Sequence, residues 1–162
     1  MRKVDLTLSY VVYGSVNELS KEDQDLIQLA VQASNKAYAP YSRFYVGCAI
    51  LLENGKKVIG NNQENVAYPS GICAERVAIF AASAQYPGVA VKTMAITAHS
   101  IIMDPDTPIT PCGACRQVVA EYESQFKKPI RILLLNPNGE VMEADSIDVF
   151  LPFMFRAEGL KK

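Results

Sequence analysis

The sequence lacks an excess of positive charge. Lysine and arginine total 16 against 17 acidic residues, and no Lys/Arg block is longer than a pair. Polyanion-binding surfaces carry a clear basic surplus, and no basic, aromatic-rich stripe is present. A nucleic-acid polymer is therefore not the expected partner; a small molecule or another protein fits better. Long apolar runs are also missing. The longest, Val77–Ala82, is far too short to span a bilayer, so no membrane association is expected. The N-terminus, Met1-Arg2-Lys3-Val4-Asp5, starts basic but has no apolar segment behind it, which makes the cytoplasm the default compartment. Thiols stay reduced there. Four cysteines in 162 residues are too few for a secreted disulfide framework, so they read as ligands or core fillers. Histidine is scarcer still. His99 is the only one; it ends an expected strand, has no ligand spacing to anything, and reads as structural or solvent-facing.

What is present is an ordinary globular composition, with 49% apolar and 20% charged residues. That is enough for one sizeable core, and no repeat, low-complexity tract or Gly/Ser linker divides the chain. Val4, Leu6, Leu8, Tyr10 and Val12 alternate as a half-buried strand does. Ser20-Lys21-Glu22-Asp23 resembles a capping box. It opens a helix over about 21–37, which Ala39-Pro40-Tyr41 ends. Strands over 44–52 and 56–60 flank Glu53-Asn54-Gly55, a hairpin signal. A loop over 61–71 leads to a helix from near Cys73 to Ala84, a strand over 93–98 and a proline-containing loop over 106–111. A helix from near Cys112 to Phe126 follows. Then come a strand over 130–135, a turn at Asn136-Pro137-Asn138-Gly139, a strand near 140–143 and one short helix in the tail. Three of these strands are almost continuously apolar, as strands covered on both faces are. The alternation of strands and helices predicts an α/β layered domain.

Cys48 lies in the apolar run Val46–Leu52 and reads as a small buried hydrophobe. The other three cysteines have a chemical logic in common. Cys112 and Cys115 form a C-x-x-C at an expected helix start, with Thr110 as N-cap and Pro111 at the first helical position. Cys73 opens another helix, with Ser70 as its N-cap. Unpaired backbone N–H groups and the positive end of the helix dipole favour a thiolate at both places. A zinc ion wants four tetrahedral ligands, and a catalytic zinc keeps one position for water. Three cysteines with no fourth candidate therefore suggest an open, catalytic site rather than a redox pair. In Cys73-Ala74-Glu75-Arg76-Val77-Ala78-Ile79-Phe80-Ala81-Ala82 only Glu75 and Arg76 carry charge. A helix this apolar is expected to be buried nearly all round, where charges need partners. Glu75 is close enough to a ligand to reach water at the metal, and Arg76 can offset the negative charge of three thiolates. A buried structural Glu–Arg pair is the alternative.

Cys73-Ala74-Glu75-Arg76, with Pro111-Cys112-Gly113-Ala114-Cys115-Arg116-Gln117, resembles the small homotetrameric cytidine deaminases of pyrimidine salvage. The pattern is the three-cysteine variant of the zinc deaminase signature. The resemblance runs from about Asp23 to Phe155 and includes Tyr41–Gly47, Gly60–Tyr68 and Leu151–Phe155. It implies a three-layer α-β-α fold with a mixed five-stranded sheet over a single domain, residues 21–162. Residues 1–20 form an N-terminal extension beyond the family's usual start, favoured as an extra strand or packing arm. It implies that Cys73, Cys112 and Cys115 bind Zn2+ and that Glu75 is the proton shuttle. Asn62 and Glu64 would hydrogen-bond the ribose, the Ala74 amide would hold the base carbonyl, and Phe44 would pack against the base. Arg76 would bond the cysteine sulfurs, and Gln117 would lie near the site. Tyr68 and Phe155 would reach a neighbouring subunit's pocket, so the active sites of a homotetramer would be shared. Phe153-Met154 replaces smaller residues of many relatives and would alter pocket shape or the subunit contact.

The expected reaction is hydrolytic deamination of cytidine and deoxycytidine to uridine and deoxyuridine, with release of ammonia. Water activated at zinc would attack C4 while Glu75 carries every proton. Two other readings remain open. One is a deaminase of another aminopyrimidine nucleoside, as in the blasticidin S deaminases; Arg76 and Asn62-Gln63-Glu64-Asn65 favour cytidine. The other is a non-catalytic zinc-stabilised module, which would need no Glu75.

Overall fold

Successive residues of a strand point to opposite faces, and the strand Tyr45–Leu52 (β2) uses both. Cys48, Ile50 and Leu52 enter one core while Ala49 and Leu51 enter a second on the other side. The computed structural model describes residues 1–156. In it β2 belongs to a mixed sheet with β1 (Val11–Tyr13), β3 (Lys57–Asn61), β4 (Val91–His99), β5 (Arg131–Leu135) and β6 (Val141–Ala144). The order across the sheet is β1-β6-β5-β4-β2-β3. Only β4 and β5 run parallel; the other neighbours are antiparallel. The parallel pair needs a crossover, and the helix α3 (Gly113–Phe126) supplies it. Both hairpin turns bend at glycines with positive φ, Gly55 between β2 and β3 and Gly139 between β5 and β6.

The layers follow from the two apolar faces. The helix α1 (Lys21–Ser34) lays Leu26, Ile27 and Ala30 on Ala49, Leu51, Ala95 and Leu133. On the opposite face α2 (Ala74–Gln85) and α3 pack Ala78, Ile79, Ala82, Val119 and Ala120 against Ile50, Met94, Ile96, Ile132 and Leu134. The expected three-layer α-β-α arrangement is therefore present. Two glycines let the helices come close. A Cβ on Gly47 would meet the Ala30 carbonyl oxygen of α1 at 1.9 Å, and one on Gly60 would meet the Ala74 oxygen of α2 at 2.5 Å.

Three expectations need correction. The sheet has six strands, not five, because part of the N-terminal extension adds β1 beside β6. The strand expected over 4–12 shrinks to Val11–Tyr13. β6 pairs with it only from Val141 to Glu143 and ends at Ala144, and among the described residues no strand lies beside 1–10, so Val4, Leu6, Leu8 and Tyr10 are exposed. Helix α1 stops at Ser34, with Asn35 as C-cap; the N–H groups of Lys36 and Ala37 donate to Ala33 and Ser34 in turns. Its start is as expected, since Ser20 Oγ accepts from the Asp23 N–H at 3.2 Å. The short tail helix is a single 3₁₀ turn, Ile147–Val149.

Candidate active site

Two helix N-termini meet beneath one cleft. Cys73 and Cys112 are themselves the N-caps of α2 and α3, in extended backbone, in place of the expected Ser70 and Thr110. Neither cysteine side chain caps its helix, which leaves both sulfurs free for other work. Cys115 sits in the first turn of α3 and is buried. The three sulfurs lie within 4.8 Å of one another, with Cys73–Cys112 at 3.9 Å and Cys112–Cys115 at 3.5 Å. No other such cluster occurs among the described residues. Three soft sulfur donors brought within the span of one ion suit zinc. They are one short of a closed structural site.

The electrostatics favour anionic sulfur. The Cys73 thiol is lowered to about 5, first because the Cys115 thiol donates to it and then because of Arg76. Arg76 Nη2 lies 3.5 Å from Cys73 Sγ. Donating to Cys73, together with burial, pushes the Cys115 thiol well up. Glu75 is 5% exposed and lines the cleft beside these sulfurs. Burial raises its carboxyl above the ordinary range, and the Cys73 charge adds to the rise. A carboxyl in that state takes up a proton readily and keeps it for transfer. The expectation that α2 is buried all round is corrected. Ala74, Glu75, Ala78, Ile79 and Ala82 face inward, while Phe80 lies on the other side and stays 44% exposed, its ring 6.5 Å from that of Tyr122 on α3.

The cleft has a volume of about 1150 Å³, within reach of ordinary small-molecule sites. Phe44, Asn62, Glu64 and Tyr68 line it together with Cys73, Glu75, Arg76 and Cys112. Asn62 Oδ1 accepts from the Val46 N–H at 2.7 Å, and its Nδ2 donates to the Phe44 carbonyl at 2.9 Å. It thus fixes the start of β2 and, with it, the Phe44 ring. Glu64 accepts from the Tyr41 N–H at 2.8 Å, the Ser42 N–H at 3.3 Å and the Ser42 hydroxyl. The Ser42 hydroxyl is the main reason its carboxyl sits low. Tyr68 is exposed and packs edge-on against Tyr41 at 6.4 Å.

Ala74, Gln117 and Phe155 do not line the cleft of the single chain. Ala74 is buried in the first turn of α2. The Gln117 amide clamps the tail: Nε2 donates to the Phe155 carbonyl at 2.9 Å, and Oε1 accepts the Phe155 N–H at 3.1 Å. The Phe155 ring is left exposed. Cys48 is fully buried in the core, with its thiol raised by that burial. His99 stacks on Tyr45 and has Nδ1 3.3 Å from Ser34 Oγ, away from the cleft, in keeping with a structural role.

Sequence reasoning missed two features. Part of the cleft lining comes from the loop after β4, including Met103, Asp104, Thr107 and Thr110. Such a loop has no periodicity to reveal which residues turn inward. Arg116 staples the segment before Cys112 to the tail, donating to the Pro111 carbonyl at 2.6 Å, the Phe150 carbonyl at 2.8 Å and Thr110 Oγ1 at 3.1 Å. Its position directly after Cys115 was the available signal.

Residues 20–128 match the family described as the cytidine and deoxycytidylate deaminase zinc-binding region. A cytidine deaminase of Halalkalibacterium halodurans is 38% identical over 137 residues, 85% of this chain and 96% of its own length. One from Sporosarcina psychrophila is 37% identical over the same length of alignment, covering 93% of its own chain. The crystal structure of cytidine deaminase from Burkholderia pseudomallei superposes with a TM-score of 0.71 at 38% identity, over 85% of this chain and 100% of that one. That from Mycobacterium tuberculosis gives 0.61 at 32% identity, over 82% and 96%.

Proposed function

The chain belongs to the cytidine and deoxycytidylate deaminase family, and from that premise we propose that it is a zinc-dependent hydrolase converting cytidine and deoxycytidine to uridine and deoxyuridine with release of ammonia. The observation that carries this reading is the burial of Glu75 against three clustered sulfurs at an open cleft. A structural metal site has no use for a buried carboxylate beside it. We assign Cys73, Cys112 and Cys115 as the zinc ligands, with Arg76 offsetting their charge. When bound, zinc makes a water molecule acidic, with a pKa of roughly 7, and so supplies a nucleophile at neutral pH.

Glu75 does the proton work. One carboxylate oxygen removes a proton from the attacking water and delivers it to N3 of the ring, which makes C4 electrophilic. The same carboxylate then takes the remaining proton from the hydroxyl now bonded to C4 and passes it to the amine, so that the C4–N bond breaks, the C4 carbonyl forms and ammonia leaves. The raised pKa of Glu75 supports this cycle, because the protonated form is not costly in a buried site. One group can serve every step because all the transfers occur on one side of the ring.

The hydrogen-bond inventory leaves room for a ribose. An ionised carboxylate offers about four acceptor positions, and Glu64 uses three on the Tyr41–Ser42 segment. Asn62 Nδ2 carries a second N–H beyond the one given to Phe44. Each can therefore meet one sugar hydroxyl, with Phe44 against the base and the Ala74 amide at the ring carbonyl. The reading extends to a homotetramer with shared sites. Tyr68, which lines the cleft, and Phe155, clamped by Gln117, are large rings that stay exposed among the described residues. Phe153-Met154 would sit at that contact. We take residues 21–162 as the deaminase domain and 1–20 as an edge extension. We also take the protein as a cytoplasmic enzyme of pyrimidine salvage, because ligand thiols must stay reduced.

Incubation of purified protein with cytidine, deoxycytidine, cytosine and a cytosine-containing oligonucleotide, followed by absorbance, tests the proposal. Loss of the aminopyrimidine band for the two nucleosides alone is expected. No turnover of either, with zinc present, would reject it.

A further inference from the structure

Of the three clustered cysteines, Cys112 is the most open to solvent. Cys115 is buried and Cys73 half-buried, whereas Cys112 is exposed. It also follows directly on the loop that leaves β4, in which Pro108 and Pro111 have no N–H to give to a ladder. A ligand in so open a place needs outside partners to fix its direction. Side chains from elsewhere in the fold hold this segment. Asn136, buried just after β5, accepts the Ile109 N–H through Oδ1 at 2.9 Å. Arg116 holds the residues that come next.

Arg116 brackets Cys112. Its backbone N–H donates to the Cys112 carbonyl at 2.9 Å. Its guanidinium donates to the Pro111 carbonyl at 2.6 Å and to Thr110 Oγ1 at 3.1 Å, the two residues on the other side of Cys112. The third guanidinium nitrogen donates to the Phe150 carbonyl at 2.8 Å, and the guanidinium carbon lies 5.9 Å from the centre of the Phe150 ring. Phe150 is a firm anchor. Its ring packs against the core, and its N–H donates to the Ile147 carbonyl at 2.9 Å. The Ile147 N–H is held in turn by Glu123 of α3. The fork is thus braced between the loop and a fixed part of the tail. A cation this near a helix N-terminus opposes the helix dipole, so the charge of Arg116, the fourth residue of α3, does not serve the helix itself.

We propose that Arg116 is a positioning residue that sets Cys112 for the metal by bracing the loop before it against Phe150. The inference rests on the assignment of Cys112 as a zinc ligand. Arg116 acts through Cys112 and not on the substrate. The role needs the fork: three acceptors in three directions suit a planar guanidinium and not a single ammonium. Partners that orient metal ligands typically carry about 10–100-fold in metal affinity, and that is the size of effect expected here.

The test is the zinc affinity of the full chain, measured by competition with a chromophoric chelator. Arg116→Lys keeps the charge and should weaken zinc binding about 10–100-fold. Loaded with Co2+ to the same level as wild type, it should show weaker sulfur-to-cobalt charge transfer, because one sulfur is misdirected. Thr110→Val removes one of the three acceptors and should weaken zinc binding by a smaller factor. Arg156→Ala removes an exposed ion pair of the same tail, with Asp148, but leaves the acceptors of the fork in place; its zinc affinity should equal that of wild type. A role in folding alone would lower the melting temperature of the zinc-free protein and leave the affinity and the cobalt spectrum as they are. Wild-type affinity in Arg116→Lys, or an equal weakening in Arg156→Ala, overturns the proposal. If Arg116→Lys does not fold, wild-type affinity in Thr110→Val overturns it. Failure of the wild-type protein to bind zinc overturns the assignment of the three cysteines, and this inference with it.

Discussion

Gly60 on β3 packs directly against Ala74 on α2: a Cβ at residue 60 would lie 2.5 Å from the Ala74 carbonyl oxygen and 2.5 Å from the Ala78 nitrogen. Backbone cannot move aside as a flexible side chain can. Gly60→Ala must therefore push on the first turn of α2, which carries Glu75 and begins at Cys73. Overpacking of this kind costs about 1–3 kcal/mol. The variant should melt lower and bind less than one zinc per chain, by thermal denaturation and metal analysis. Gly113→Ala meets nothing within 4 Å and should keep both. Equal zinc content and melting in Gly60→Ala would show that the contact does not position the site.

Glu75→Gln keeps the shape of the side chain and removes its capacity to carry a proton. The sulfurs are untouched, so zinc should remain at the wild-type level. General acid–base catalysis contributes about 10²–10⁴-fold, and kcat for cytidine should fall by that order. Near-normal turnover would remove Glu75 from the proton path; loss of zinc would make it a structural partner of the sulfurs instead.

The fold was legible wherever burial leaves a sequence pattern. The apolar runs in β2, β4 and β5 announced a sheet covered on both sides, and α1 to α3 lie where helical spacing placed them. The N-terminal strand was overdrawn because alternation reports an amphipathic segment but not a partner. Val4 to Tyr10 alternate as β1 does, yet β6 ends at Ala144, one residue beyond its last pair with β1, and cannot follow them. Spacing in the chain brought forward Cys73, Glu75, Cys112 and Cys115. It could not show that Asn62 steadies Phe44 and Val46, which lie 18 and 16 residues away and arrive only through the β2–β3 pairing. The loop carrying Asp104 was unreadable for a similar reason, since an aperiodic segment does not declare which side faces inward.

Glu64 serves two masters, the Tyr41–Ser42 segment and the ribose we assign to it. Glu64→Ala strips the acceptor from two backbone N–H groups and from the Ser42 hydroxyl. A hydrogen bond to a charged group is worth about 1.5–3 kcal/mol, so kcat/KM for cytidine should fall by roughly one to two orders of magnitude, with KM bearing most of it. Zinc content should not change, because none of these bonds involves a sulfur. Unchanged kinetics would refute the ribose role.

Glu123 supplies a pH test remote from the metal ligands. Its Oε1 accepts the Ile130 N–H at 2.8 Å and the Ile147 N–H at 3.1 Å, tying α3 to β5 and to the tail. Burial is the largest influence on its carboxyl and raises it above the ordinary 4.5, outweighing the two N–H donors that pull it down. Raised in the folded state, this group favours folding most when protonated. Its contribution is complete below the unfolded value near 4.5 and declines as pH rises through the folded value. A glutamine at this position keeps an oxygen for both N–H groups and carries no charge to desolvate. The melting temperature of Glu123→Gln relative to wild type should therefore increase between pH 4.5 and pH 8. Glu123→Ala should melt below wild type at both, since two N–H groups lose their acceptor at about 1–3 kcal/mol each when buried. A Glu123→Gln difference that does not move with pH would mean that the carboxylate is solvated well enough for its charge to cost nothing.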